Sequence, residues 1–106
     1  MSSRFDKEDW EAYAARCLYS IARMAEGKKM SRQHLRRRFL QSLGANPKEW
    51  IETQRLEAAM RLLSAGKAVK EVAIELGFSH SSHFSRFFQR KTGHSPRQFQ
   101  ENVPAG

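Results

Sequence analysis

The sequence predicts an all-α protein made of two similar halves, and three observations carry that expectation. Nowhere do apolar and polar residues alternate with the two-residue period of a strand; apolar residues recur three and four apart along most of the chain. Gly44, Gly66, Gly77 and Gly93, with Pro47 and Pro96, interrupt the pattern where helices would stop and start. The third observation is a repeat: residues 34–50 read HLRRRFLQSLGANPKEW and residues 83–99 read HFSRFFQRKTGHSPRQF. At an offset of 49 the pairs His34/His83, Arg37/Arg86, Phe39/Phe88, Gly44/Gly93 and Pro47/Pro96 are identical, while Leu35/Phe84 and Trp50/Phe99 stay apolar. Upstream the offset is 48, pairing Ile21/Val69, Met24/Val72, Ala25/Ala73 and Met30/Phe78.

Each helix has its own local signal. Asp6 is placed to cap a first helix from Lys7, with Trp10, Tyr13, Ala14, Cys17 and Leu18 on one face. No Gly or Pro ends it, and a break is expected near residues 18–20. Ile21, Met24 and Ala25 form a short second stripe ending around Gly27. Ser31 caps a third helix in which Leu35, Phe39 and Leu43 recur every fourth residue, and Gly44 closes it as a left-handed cap. Asn46-Pro47-Lys48-Glu49 is a helix start: Asn caps, Pro fills the first helical position, and Glu49 is placed to bond back to the cap amide. The helix it opens runs to about Ser64, roughly 27 Å at 1.5 Å per residue, and Gly66 stops it. A short helix over 69–76, a turn at Gly77-Phe78-Ser79, a helix from about His80 to Thr92 and a last helix from Ser95-Pro96, fraying by Val103-Pro104, complete about seven helices. The organisation expected is a first subdomain over 1–46, a linking helix over 47–65 and a second subdomain over 66–106.

The net charge of +8 on 106 residues is concentrated in the repeat. Between Glu26 and Glu49 stand Lys28, Lys29, Arg32, Arg36, Arg37, Arg38 and Lys48 with no acid; between Glu75 and Glu101 stand Arg86, Arg90, Lys91 and Arg97, again with no acid. His34, His80, His83 and His94 lie in the same two windows, and the rest of the chain is net acidic. Acid-free basic windows locked to a repeat are what contact with a repeating polyanion requires, because each neutralised phosphate releases counterions. No stretch approaches the ~20 apolar residues of a membrane span. The N-terminus lacks the apolar core of a secretory signal. The single cysteine, Cys17, excludes an internal disulfide and suits a reducing cytoplasm. Beside Leu18 and Ile21, it reads as a core residue.

Within each half a short helix with an apolar-x-x-apolar-Ala stripe meets a tight turn and a second helix. In the second half this is VKEVAIELGFSHSSHFSRFF. Small Ala73 permits close helix approach, Gly77 supplies the turn, and Phe78, Phe84 and Phe88 anchor the second helix. The arrangement is a helix-turn-helix, whose second helix can lie in the DNA major groove.

The residues RLEAAMRLL (55–63), VKEVAIELGF (69–78), HFSRFF (83–88) and TGHSPRQF (92–99), with LRRRF (35–39) and GANPKEW (44–50), resemble the AraC-type bacterial transcription regulators. The resemblance covers roughly residues 10–100 and is looser in the first copy. It implies two helix-turn-helix units at the ends of one linking helix, both recognition helices on one side of a duplex, and a promoter or operator as partner. It also implies activation through contact with RNA polymerase. Such proteins commonly carry an effector or dimerisation domain, for which this chain has no room. A stand-alone regulator, monomeric on an asymmetric site, or the DNA-binding fragment of a larger one is therefore expected. Three departures stand out. Lys29 occupies the place of the turn glycine Gly77, so the first turn has either another shape or a left-handed lysine costing ~1 kcal/mol. Arg38 and Leu40 reverse the family's apolar-then-basic order, which rotates the helix or leaves Leu43 to compensate. His83 replaces an aromatic.

Groove contact is expected from Arg32, Gln33, Arg36 and Arg37 in the first unit and from His80, Ser81, Ser82, Ser85 and Arg86 in the second. Arg pairs bidentately with guanine and Gln with adenine, whereas Ser bonds many partners and adds affinity more than stringency. Arg86 is equally suited to pairing with an acid inside the protein. Phosphate contact is expected from Lys28, Lys29, Arg38, Lys48, Arg90, Lys91 and Arg97; amides at the Pro47 and Pro96 helix starts serve either phosphate or simple capping. His80 and His83 lack the further ligands of a zinc site. No Gly-rich phosphate loop, nucleophile elbow or carboxylate pair beside a His points to an enzyme, a cofactor or a small-molecule pocket. A scaffold binding an acidic protein is the alternative, which the repeat disfavours.

Overall fold

The computed structural model describes the backbone of residues 3–102 and side chains from Trp10 onward. Among the described residues there are seven helices and no strand: α1 (Ser3–Arg16), α2 (Ile21–Gly27), α3 (Arg32–Leu43), α4 (Pro47–Ser64), α5 (Val69–Glu75), α6 (Ser81–Thr92) and α7 (Pro96–Asn102). They form two compact units that divide between Gln54 and Arg55, inside α4. α1 starts at Ser3, so Asp6 lies within the helix and does not cap it. Nothing between Ser3 and Lys7 breaks a helix, and an existing helix extends readily over such residues. Val103-Pro104 lies outside the described residues.

The first unit buries Trp10, Ala14, Met24, Ala25, Leu35, Phe39 and Ile51, with Tyr13, Cys17, Tyr19, Ile21, Met30, Leu43 and Trp50 packed around them. Phe39 is the centre, its ring 4.5 Å from Trp10 and 5.2 Å from Trp50. The break after α1 falls where expected, by an unexpected device. Leu18 and Tyr19 are consecutive left-handed residues (φ 55° and 57°), each costing roughly 1–2 kcal/mol. The Tyr19 N–H reaches back to the Ala14 carbonyl (2.8 Å), and packing of Tyr19 against the core offsets the strain. Ser20 then caps α2, its Oγ accepting from the Arg23 N–H at 3.2 Å.

The second unit buries Ala58, Ala59, Leu63, Val72, Ala73, Leu76, Phe84, Phe87 and Phe88. Rings chain through it: Phe78 lies 5.4 Å from Phe84 and 5.5 Å from Phe87, and Phe88 lies 5.4 Å from Phe99. Gln100 Nε2 donates to the carbonyls of Leu63 and Lys67 (3.0 and 2.7 Å), tying α7 to the end of α4 and the turn after it.

The two turns carry the same backbone hydrogen bonds. In the first turn Lys29 N–H bonds Glu26 O and Met30 N–H bonds Ala25 O; in the second Gly77 N–H bonds Ile74 O and Phe78 N–H bonds Ala73 O, all at 3.0 Å. Lys29 (φ 55°) therefore adopts the left-handed conformation of Gly77 (φ 83°), and the first turn keeps the shape of the second. The change of offset from 48 to 49 follows from Ser79, one extra residue before the cap: Ser31 caps α3, whereas His80 caps α6. Gly44 and Gly93 end α3 and α6 alike in the left-handed region. At the next helix start Asn46 Oδ1 accepts from Lys48 N–H (2.9 Å), and Ser95 Oγ from Gln98 N–H (3.1 Å). Among the described residues the return bond expected from Glu49 to the Asn46 amide is not made; the second copy makes its counterpart, from Ser95 N–H to Gln98 Oε1 (3.0 Å).

Candidate nucleic-acid interface

Each unit fastens its turn to the helix that precedes it, with different chemistry. In the first, the Tyr13 hydroxyl donates to the Met24 carbonyl at 2.7 Å and lies where any side chain on Gly27 would stand. Burial, then a Cys17 hydrogen bond, pushes the Tyr13 pKa up, so the hydroxyl stays a donor at neutral pH. In the second, Arg55 Nε donates to the Leu76 carbonyl (3.0 Å) and its guanidinium lies 3.8 Å from the Phe78 ring centre. Neither clamp was foreseen. For Arg55 a signal existed: it shares the α4 face of Ala58, Ala59 and Leu63, where an arginine needs a structural reason.

With the turns fixed, α3 presents Arg32, Gln33, Arg36 and Arg37 exposed, while Leu35 and Phe39 are fully buried on the other side. Gln33, Arg36, Arg37 and Leu40 line one shallow depression of about 220 Å³. Arg32 and Arg36 line another of about 280 Å³ with Ile21 and the start of α4 at Asn46, Pro47 and Lys48. Three cationic side chains thus stand beside a helix N-terminus, an arrangement that favours anions. Arg38 is exposed where the second unit buries Phe87, and half-buried Leu43 packs against the core. Lys29 and Lys48 are exposed. The Lys28 ammonium lies 4.7 Å over Tyr13 and 5.3 Å over Trp10, a placement that needed the fold to bring those rings to it.

On α6, His80 is the cap residue, Ser81 and Ser82 open the first turn exposed, Ser85 is half-buried and Arg86 is exposed. Among the described residues Arg86 pairs with no carboxylate; Lys67 and Glu75 form an ion pair at the surface. Hydrogen bonding to Glu75, then its charge, raises the Lys67 pKa. The His80 and His83 rings meet edge to face at 5.1 Å. Lys70, Ala73, Ile74, Phe78, Ser79 and the residues 80–82 surround a depression of about 430 Å³. Arg90, Lys91 and Arg97 are exposed farther along. No group of three or more metal-ligating side chains gathers among the described residues, and no described helix is long and apolar enough to cross a membrane.

Two small helical units, each offering an exposed helix after its turn (α3 and α6) rich in hydrogen-bond donors, define an all-α protein with a duplicated helix-turn-helix. A family model described as a helix-turn-helix domain matches residues 24–102. The chain belongs to this family, the AraC-type helix-turn-helix proteins. It is 41% identical over 86 residues to the HTH-type transcriptional regulator YidL of Escherichia coli, covering 80% of this chain and 29% of that one. The chain thus spans under a third of the length of the curated relatives it matches, and only 12% of a Staphylococcus aureus HTH-type regulator that is 30% identical. Among solved structures, it is similar to the DNA-binding domain of the global transcriptional factor AdpA in complex with a target DNA (33% identity, TM-score 0.69, 85% of each chain). It is also similar to an AraC-type transcriptional regulator from Chromobacterium violaceum (29% identity, TM-score 0.61, 79% of this chain and 76% of that one).

Proposed function

We propose that this chain is a sequence-specific double-stranded DNA-binding transcription regulator that inserts α3 and α6 into successive major grooves. One observation carries the reading: Gln33, Arg36 and Arg37 stand together, exposed, on the second helix of a helix-turn-helix, in a window without acids. The likeness to a domain solved on its target DNA supports it. Arg36 and Arg37 are assigned to guanine O6 and N7, and Gln33 to adenine N6 and N7. Arg32, the first residue of α3, is assigned to the groove with them, and Lys48, at the start of α4, to the phosphates flanking it. His80, Ser81, Ser82, Ser85 and Arg86 engage the second groove with less stringency, and Lys28, Lys29, Arg38, Arg90, Lys91 and Arg97 add phosphate contacts. Lys28 leaves its aromatic seat to do so. The reading carries with it a cytoplasmic location, a promoter as partner and, from the family, contact with RNA polymerase.

The test is Arg37→Ala, titrated against a duplex that the wild-type protein enriches from a random pool and against a scrambled duplex. Loss of a bidentate base contact lowers specific affinity about 5–150-fold, the equivalent of ~1–3 kcal/mol, and leaves scrambled binding nearly unchanged. An equal loss on both duplexes makes Arg37 a phosphate contact and removes base reading by α3.

A further inference from the structure

Leu40 is half exposed (50%), whereas Leu35 and Phe39, the apolar residues on the other side of α3, are fully buried. On a helix of 3.6 residues per turn, Gln33, Arg36, Arg37 and Leu40 fall within roughly 100° of one another. The four line one depression, so Leu40 is the apolar end of the surface assigned to base reading. Its backbone is fixed: the left-handed cap Gly44 donates its N–H to the Leu40 carbonyl at 3.0 Å, so the last turn of α3 is closed. At offset 49 the second unit has exposed Gln89 in this place, so the feature belongs to the first unit alone.

We propose that Leu40 is a specificity-determining residue that packs on the 5-methyl group of a thymine in the half-site read by α3. The proposal rests on the DNA-binding reading above and adds a base preference to it. An exposed leucine ringed by two arginines and a glutamine is poorly suited to an apolar protein patch, since docking there would bury the neighbouring charges. The major groove offers those neighbours phosphates and base edges and offers Leu40 its one apolar group, the thymine methyl. Leu40 lies about 4.5 Å beyond Arg37 along the helix, which places its thymine one or two base pairs from the base that Arg37 contacts.

The test uses the full chain and the duplex it selects. Each thymine in the half-site is replaced singly by deoxyuridine, which removes only the methyl group, and Kd is measured for wild type and Leu40→Ala. One replacement should weaken wild-type binding about fourfold, the worth of one buried methyl-sized group. The same replacement should leave Leu40→Ala unchanged, that variant being already weaker by a similar factor on the thymine duplex. Unaltered binding of Leu40→Ala to scrambled DNA shows that α3 is intact. Equal losses for both proteins at every thymine, or no loss at any, overturn the assignment while sequence-selective binding stands. Failure of the wild type to select any duplex overturns both.

Discussion

Single residues bear the differences between the two copies. Lys29 holds a conformation that Gly77 holds without strain, because the turn must bring α2 and α3 together over buried Ala25 just as the second turn does over Ala73. Lys29→Gly should therefore raise stability. Release of ~1 kcal/mol of strain, less the extra freedom glycine gives the unfolded chain, leaves about half a kcal/mol and a rise of a few degrees in Tm. Thermal unfolding checks it, and an unchanged or lower Tm would mean the left-handed turn is not strained. At this scale the sequence was partly readable. That Lys29 stood in a glycine's place was plain, but choosing between a new turn shape and a left-handed lysine needed the hydrogen bonds of Met30 to Ala25 and Lys29 to Glu26. Leu18 and Tyr19 gave no warning, since their conformation is imposed by tertiary packing of Tyr19.

Helices whose ends carry local chemistry were the most legible. Ser31, Gly44, Pro47 and Gly66 mark starts and stops through a side-chain acceptor, a missing N–H or an absent Cβ, all readable in one chain. The start of α1 was misread because a good cap at Asp6 does not oblige a helix to begin there when the residues before it also accept helix. α4 links the two units, and its exposed Arg61 is assigned to the side away from DNA. Arg61→Glu places an acid in the last helical turn, which costs about 0.3–1 kcal/mol of stability through the helix dipole. Over more than a Debye length of ~8 Å its effect on DNA is screened, so affinity should stay within about twofold. A tenfold loss in a DNA titration would put α4 against the phosphates.

For the whole molecule, composition and placement of charge said more than any one motif. The two acid-free windows coincide with the regions that fold into α3 and α6, and the family match spans both. The exposed face of α3 was legible because the 3.6-residue period separates buried Leu35 and Phe39 from Gln33, Arg36 and Arg37. What stayed hidden were partners distant in sequence: Tyr13 on Met24, Arg55 on Leu76 and Lys28 on two rings. The central claim is that both units read one duplex. Selection of binding sites from random double-stranded DNA, repeated near physiological salt, tests it most directly. The account predicts a motif of two blocks about one helical turn, 10–10.5 base pairs, apart, with the sharper block under α3. No enriched motif, with binding that vanishes as salt rises, would contradict it and leave a basic helical scaffold for an acidic protein.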